Sequence, residues 1–578
     1  MKLSGLFQSN VTGNKLSRMF SALNWERGHW GRLLLLIGAI SYLLPFLILP
    51  VSSTIVHGIE NSPGNNSLSA FTLTLTNPLY LESCANSIFA AMGVCLLCAS
   101  IATPIAWILV RHGQDNSRWI LLLGVIPLCA PPFLAAASIK AALGPLGGAG
   151  WLNSIYGLVL IESIHYFPLL LFSVLLALRG HGVEIETAIL AVGVRKFRSL
   201  IRILLPRTLP GLALGATIIF IKVLDDIATP LALSQYNLLA PQLYLRVNSA
   251  GVDDSLSSVL AIILIVFSTT AWWIGAQGFR CEPWLLRWDS PPQVIHRHLA
   301  RHEQWLVSAC MATIAVVVAI PLGSLLVLSV SGIWSHTALP ESFTARHYVE
   351  LLQMNQDVFS NTLLYCGVAA AFDLVVGFFI AYFLKLDRNQ RYRWLESAFM
   401  GMLALPGIVL AFGYLRFFQG GTYFGFESPL SSPWVLIAIA LSVRNLPYAV
   451  YAMLLALNSI PVQCQEAAYV LGIRPGRVRT KITLPLLSGG IFVAFLLCFV
   501  MAAFDLSAAM LLVPSETQAP ISYSIYLEML KSSGRSGGAA LAILSLGFIS
   551  LCTYGATVII RKTNPMLTSG KMASEKKR

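Results

Sequence analysis

The chain has 578 residues, of which 56% are hydrophobic and only 11% charged, with a formal net charge of +13 and a mean hydropathy of +0.72. Ordinary globular domains carry about a quarter of their residues as charged side chains, so a soluble surface is excluded and a polytopic membrane protein remains. The positive balance does not point to nucleic acid, because Lys and Arg sit in short clusters between apolar runs, as a cytoplasmic-loop bias places them.

Apolar runs of about 18 or more residues mark membrane helices. In chain order they cover roughly 33–51, 85–110, 119–141, 152–178, 211–234 and 256–279. The series continues over 305–332, 361–384, 396–419, 433–457, 488–513 and 539–560, about twelve spans in all. A long basic tail precedes the first run, whose apolar stretch "LLLLIGAISYLLPFLILP" exceeds a signal core, so an uncleaved helix is expected there. The ten cysteines lie mostly inside such runs and read as small buried apolar residues.

One set of loops holds nearly all the cations, from Arg18, Arg27 and Arg32 through Arg195, Lys196 and Arg198 to Arg477, Arg479 and Lys481. The opposite loops hold little beyond Arg246, Arg346, Lys531 and Arg535. A multi-pass protein of a bacterial cytoplasmic (inner) membrane with both termini cytoplasmic is expected, and an even number of spans agrees.

The two halves repeat. "NSIFAAMGVCLLCASIATPIAWIL" from Asn86 aligns with "NTLLYCGVAAAFDLVVGFFIAYFL" from Asn361, an offset of 275 residues that Pro131 and Pro406 share. Further on, Pro168 meets Pro447, Gly193 meets Gly472, Pro206 meets Pro485 and Asp226 meets Asp505, all 279 apart. An even number of spans per half makes the repeats parallel, with a pathway expected between them. The halves are read as residues 1–290 and 291–578. The joining segment holds His296, His298 and His302 without acidic or cysteine partners at ligand spacing, so a polar linker is favoured over a metal site.

Between the tenth and eleventh runs lies "QEAAYVLGIRPGRVRTKITLPLL". Residues Glu466 to Leu471 favour helix, and Gly472 is suited to end it in a left-handed conformation. Pro475 and Gly476 turn the chain, and the basic stretch that follows predicts a second, surface-lying helix before Pro485 re-enters the bilayer. The stretch resembles the EAA motif, "EAA---G---------I-LP", of binding-protein-dependent ABC importer permeases. Glu466, Ala467, Ala468, Gly472, Ile482, Leu484 and Pro485 match it position by position. A second copy, "EIETAILAVGVRKFRSLIRILLP", matches at Gly193, Ile203, Leu205 and Pro206. Its EAA position reads Thr187, Ala188 and Ile189, with Glu186 displaced by one residue.

The resemblance implies an all-α fold of the type I ABC importer permease class, with two parallel six-helix repeats on one chain. It implies that the loops 186–206 and 466–485 each form a coupling helix seated in a groove of an ATP-binding subunit. Two copies of that subunit on the cytoplasmic face and an extracytoplasmic solute-binding protein are the implied partners. No cofactor is implied, and no nucleic acid. Fused permeases are typical of ferric iron, aminoethylphosphonate and thiamine importers, and "DDIATPLALSQYNLLAPQLYLRV" resembles the iron and phosphonate branch. The chain itself has no phosphate loop of the "GxxxxGK[ST]" kind, so ATP hydrolysis is expected on a separate subunit.

Ionisable groups inside spans are costly and usually face a cavity or a partner. Asp226 and Asp505, with His165 and its repeat position Arg444, are candidates for lining the pathway; structural helix-to-helix bonds are the other reading. Glu162 and Asp373 are further intramembrane acids, and in an ion-coupled secondary transporter, the alternative class, they would be coupling sites. That class leaves the paired cytoplasmic loops unexplained.

Overall fold

The computed structural model describes residues 37–38, 40–60, 69–111, 130–144, 147, 149–179, 205–280, 301–332, 334, 339–354, 356–386, 393–420, 422–423, 426–427, 432–458, 460, 467–473, 475–531 and 535–563. These residues are helical almost throughout. The exception is an antiparallel pair of two-residue strands, Thr422–Tyr423 and Phe426–Glu427.

The helices that position the candidate sites and the spans are, in chain order, α1 (Ile40–Glu60), α2 (Pro78–Arg111), α3 (Pro132–Leu143), α4 (Ile155–Arg179), α5 (Leu205–Asp225) and α6 (Ala228–Ala232). There follow α7 (Leu239–Ala250), α8 (Ser255–Arg280), α9 (Arg301–Ser329), α10 (Gln356–Leu386) and α11 (Gly407–Phe417). The chain continues with α12 (Pro433–Asn458), α13 (Leu484–Ala503), α14 (Ala509–Leu512), α15 (Ile521–Leu530) and α16 (Arg535–Thr563).

Twelve spans were expected; among the described residues nine helices are long and apolar enough to cross a membrane, or ten if a bent pair counts as one. That pair is Ser397–Ala404 with Gly407–Phe417, bent by 88°. The bend falls at Pro406, whose extended backbone (ψ 138°) starts α11 afresh. Pro131 does the same before α3 (ψ 144°), and the first part of the expected third span, 119–129, lies outside the described residues. The twelfth is met by α16, whose apolar part Arg535–Leu551 is shorter than a full span.

The first span ends further along the chain than expected, at Glu60 rather than near 51. It continues through the hydroxyl-rich "VSST" because Ser52, Ser53 and Thr54 donate to the carbonyls of Leu49, Pro50 and Pro50 at 2.9, 2.8 and 3.1 Å. A helix that satisfies its own hydroxyls can keep them in an apolar setting. The fifth and eleventh spans instead stop early, at Asp225 and Ala503.

Several contacts recur between the halves, made by α2 and α10 residues 275 apart. The Asn86 side chain donates to the Asn237 carbonyl at 3.2 Å, and that of Asn361 to the Thr517 carbonyl at 2.9 Å. The Ser87 hydroxyl accepts the Leu239 amide at 2.9 Å and the Thr362 hydroxyl accepts the Ile521 amide at 2.8 Å. Each hydroxyl thereby satisfies a first-turn N–H that a helix cannot satisfy itself. A Cβ on Gly211 would lie 2.5 Å from the Ser173 carbonyl and 2.7 Å from the Ala177 methyl, and one on Gly490 would overlap the Ala456 methyl. Small residues at those positions let α5 approach α4, and α13 approach α12, with backbones nearly touching.

Two helices cross between the halves. α1 packs on α11 as well as on α8, and α9 packs on α3 as well as on α16. The Tyr414 hydroxyl donates to the Phe46 carbonyl at 2.5 Å, and Tyr42 and Ser442 share a hydrogen bond of 2.7 Å.

Gly211→Leu and Gly490→Leu should each lower stability by about 1–3 kcal/mol through overpacking. Gly323→Ala should be neutral or stabilising, because a helical glycine with free space around it only costs entropy. Thermal unfolding of the detergent-solubilised protein checks the opposite signs.

Candidate functional site

The deepest charged cluster joins the two halves. α5 ends at Asp225, where the backbone breaks before the short α6. α11 begins at Gly407, and its first amides have no partner within the helix. Asp225 fills that vacancy: its Oδ1 accepts the Gly407 N–H at 2.6 Å and the Ile408 N–H at 3.4 Å. A carboxylate at a helix N-terminus also meets the positive end of the helix dipole. Gly407 cannot carry a side chain, because a Cβ would fall on the Arg444 guanidinium.

Arg444, near the middle of α12, spans both acids. One Nη donates to Asp505 Oδ1 at 2.8 Å and the other to Asp225 Oδ2. The side chains of Arg444, Asp225 and Asp505 are 12%, 4% and 6% exposed. Neighbouring hydroxyls hold the backbone around them: Ser507 donates to the Asp225 carbonyl at 3.1 Å and Ser522 to the Asp505 carbonyl at 3.2 Å. Beside the cluster is a small pocket lined by Lys222, Asp225, Met402, Leu405, Arg444 and Tyr448, among others.

Of the four expected pathway residues, the structure brings Arg444 and Asp505 together. Asp226 turns away to accept from its own neighbour Thr229, through the amide at 3.1 Å and the hydroxyl at 2.5 Å. Its repeat mate Asp505 has no such local donor, because Ala508 stands where the first half has Thr229. No ion pair joins His165 to Asp226 among the described residues; His165 is buried and packs edge-on against Tyr166 with centroids 4.7 Å apart. The acid that bridges the halves is Asp225. The doubled "DD" at a helix break was its signal in the sequence, and the missing local partner at Ala508 was the signal for Asp505.

Two other buried acids take no part. Asp373 accepts from Ser442 at 2.6 Å, which continues to Tyr42, while its second oxygen has no partner. Both carboxyl oxygens of Glu162 are buried without one.

The second candidate region is the loop before α13. Glu186, Ala188 and Gly193 of the first loop and Glu466 of the second lie outside the described residues. Pro206 is exposed in the first turn of α5. In the second loop Ala467 to Val470 form one helical turn, closed by Gly472 at φ +73°. The Ile473 amide reaches back to the Ala468 carbonyl at 3.1 Å and the Gly472 amide to that of Tyr469 at 3.0 Å, the bond pattern of a Schellman cap. Ala468 is buried and Ala467 exposed, while Val470 and Leu471 are 77% and 78% exposed.

The separate surface helix expected after Pro475 is not found. Pro475–Val478, a π-helical turn Arg479–Thr483 and α13 follow one another without a break. Pro485, exposed in the first turn of α13, has no N–H for a carbonyl one turn back, and the widened turn before it is where the helix absorbs that loss.

The family model described as "Binding-protein-dependent transport system inner membrane component" matches residues 373–563. The molybdenum transport system permease protein of Escherichia coli K12 is 32% identical over 198 residues, 32% of this chain and 85% of its own length. A ferric transport system permease protein of Actinobacillus pleuropneumoniae is 22% identical over 472 residues, 76% of this chain and 66% of its own. An Fe(3+)-transport system permease protein of Haemophilus influenzae is 21% identical over 503 residues, 84% of this chain and 90% of its own.

Arg444→Met removes the cation that Asp225 and Asp505 share. Loss of one partner from a buried ion pair costs about 3–5 kcal/mol, so thermal unfolding should show a larger loss than for the isosteric Asp225→Asn.

Proposed function

The chain belongs to the family of binding-protein-dependent transport system inner membrane components, and we propose that it forms the whole membrane pathway of an ATP-driven importer, with residues 1–290 and 291–578 as its two halves. It is thus a multi-pass inner-membrane permease. The observation that carries the finer reading is the capped turn at Ala467–Ile473, which presents Val470 and Leu471 outward and matches the EAA motif. An exposed apolar pair on a rigid one-turn helix is a surface for a partner, and the partner proposed is the ATP-binding subunit that the chain does not itself contain.

Two copies of that subunit would dock, one at 466–485 and one at the less well-matched 186–206. Both termini are placed on the same cytoplasmic side by the distribution of Lys and Arg. Closure of the subunits on ATP favours the state in which the halves open outward, a population shift driven by a partner that binds that state more tightly. An extracytoplasmic binding protein then delivers the solute, and hydrolysis returns the pathway inward. The contacts of Asp225 with Arg444 and the start of α11, and of Arg444 with Asp505, support a role for this cluster in shutting the proposed pathway, with His165 and Asp226 proposed on its first-half side.

Ferric iron is the favoured cargo. Two relatives that align over three quarters or more of this chain are named for ferric transport, whereas the molybdenum permease aligns over 32% of it.

Co-purification of the cognate ATP-binding subunit tests the reading. Leu471→Glu should reduce it by about tenfold or more, a loss of roughly 1.4 kcal/mol. Gly472→Val should reduce it too, because a left-handed position costs a side-chain-bearing residue about 1–2 kcal/mol. Unchanged association in both variants would refute the docking role.

A further inference from the structure

Lys222 stands three residues before Asp225 on α5, and so on the same helix face. It is half-buried and lines the same pocket as Asp225, Arg444 and Tyr448. Among the described residues it makes no hydrogen bond and no ion pair, although its charge already acts on Asp225. With no hydrogen bond of its own, its ammonium keeps its donors available for a carboxylate.

Asp225 is held from the other half by three elements: the Arg444 guanidinium, the first amides of α11, and the Ser507 hydroxyl on its carbonyl. All of these contacts break if the halves part. Arg444 would not be orphaned, because Asp505 of its own half stays with it at 2.8 Å. Asp225 would be, unless a cation on its own half took over, and Lys222 is one turn away.

We propose that Asp225 is the moving contact of a two-position charge latch, paired with Arg444 and the α11 amides when the pathway is shut and with Lys222 when it is open. The proposal rests on the reading of the chain as an importer whose halves separate. In the shut state one guanidinium serves two carboxylates and Lys222 is idle. In the open state the same four groups form two separate pairs, Arg444 with Asp505 and Lys222 with Asp225. No carboxylate is left without a cation in either state, which keeps the two close enough in free energy for partner binding to choose between them.

The test uses two measurements. The chain alone, reconstituted in liposomes loaded with carboxyfluorescein, reports on the shut state. Asp225→Asn should leak dye several-fold faster than wild type, while Lys222→Met should not leak. The complex with its ATP-binding subunit and binding protein reports on opening. There Lys222→Met should lower the stimulated ATPase several-fold, and Lys222→Arg, which keeps the charge, should retain it. In the Asp225→Asn background Lys222→Met should add nothing, since the lysine acts only through that carboxylate. An equal effect of Lys222→Met in both backgrounds, equal loss in Lys222→Arg, or a tight Asp225→Asn chain would overturn the latch. Failure of the wild-type chain to assemble with an ATPase would count against the importer reading alone, and the leak measurement would still decide the shut-state contact.

Discussion

A guanidinium held in the middle of a helical bundle by carboxylates from two different segments is the constraint on which the other features turn. Taking such charges out of water is expensive, and the Coulomb gain offsets it only when the geometry is good and the remaining lone pairs are used. Here they are used. Asp225 spends one oxygen on the α11 amides and the other on Arg444, and Arg444 divides its two terminal nitrogens between Asp225 and Asp505. Lysine could not substitute, because a point charge lacks the planar fork that addresses two acids at once. The arrangement dictates a glycine at 407, a proline at 406 to start α11 in the right place, and small hydroxyls at 507 and 522.

The same backbone is used twice with different side chains. After both α5 and α13 the chain breaks at equivalent acids, turns through a short helix, and returns through α7 or α15, each met by a hydroxyl from the start of α2 or α10. What differs is the electrostatics. The first half has His165 and a self-capped Asp226; the second has Arg444 and an Asp505 free to reach it. The two EAA-like loops differ in bulk, with Ile189 where the second half has Ala468. The bridge between the two copies is made by one carboxylate, Asp225, which reaches Arg444 from the first.

Much of this was legible in the sequence. Spans are read from hydropathy because the bilayer tolerates nothing else, and Gly472 was legible because a left-handed cap favours glycine. The close contacts at Gly211 and Gly490 follow from the repeat, since Ala177 and Ala456 keep the same offset. Three things were not legible. Which of two adjacent acids turns inward at a helix break depends on a donor three residues on, and periodicity says nothing about a break. The packing of α1 on α11 and of α9 on α3 joins elements hundreds of residues apart, and apolar faces of similar composition do not name their partners. The unbroken run from Pro475 into α13 was hidden by Pro475, Gly476 and Pro485, each a usual breaker, because a π-helical turn can carry a proline that an ideal α-helix would not.

That continuity joins the two candidate regions mechanically. Pro475 to Ala503 is one helical rod, on the order of 40 Å long at about 1.5 Å per residue. One end follows the capped turn at Gly472, and the other stops two residues before Asp505. α12, which carries Arg444, enters the same loop from its other side, and Lys385 of α10 donates to the Leu457 carbonyl at its last turn. Arg444 therefore stands on the helix that enters this loop, and Asp505 lies just past the end of the helix that leaves it. Within the rod the π-helical turn Arg479–Thr483 is the one departure from α-helix, and the rod ends on the Asp505 side of the ion cluster.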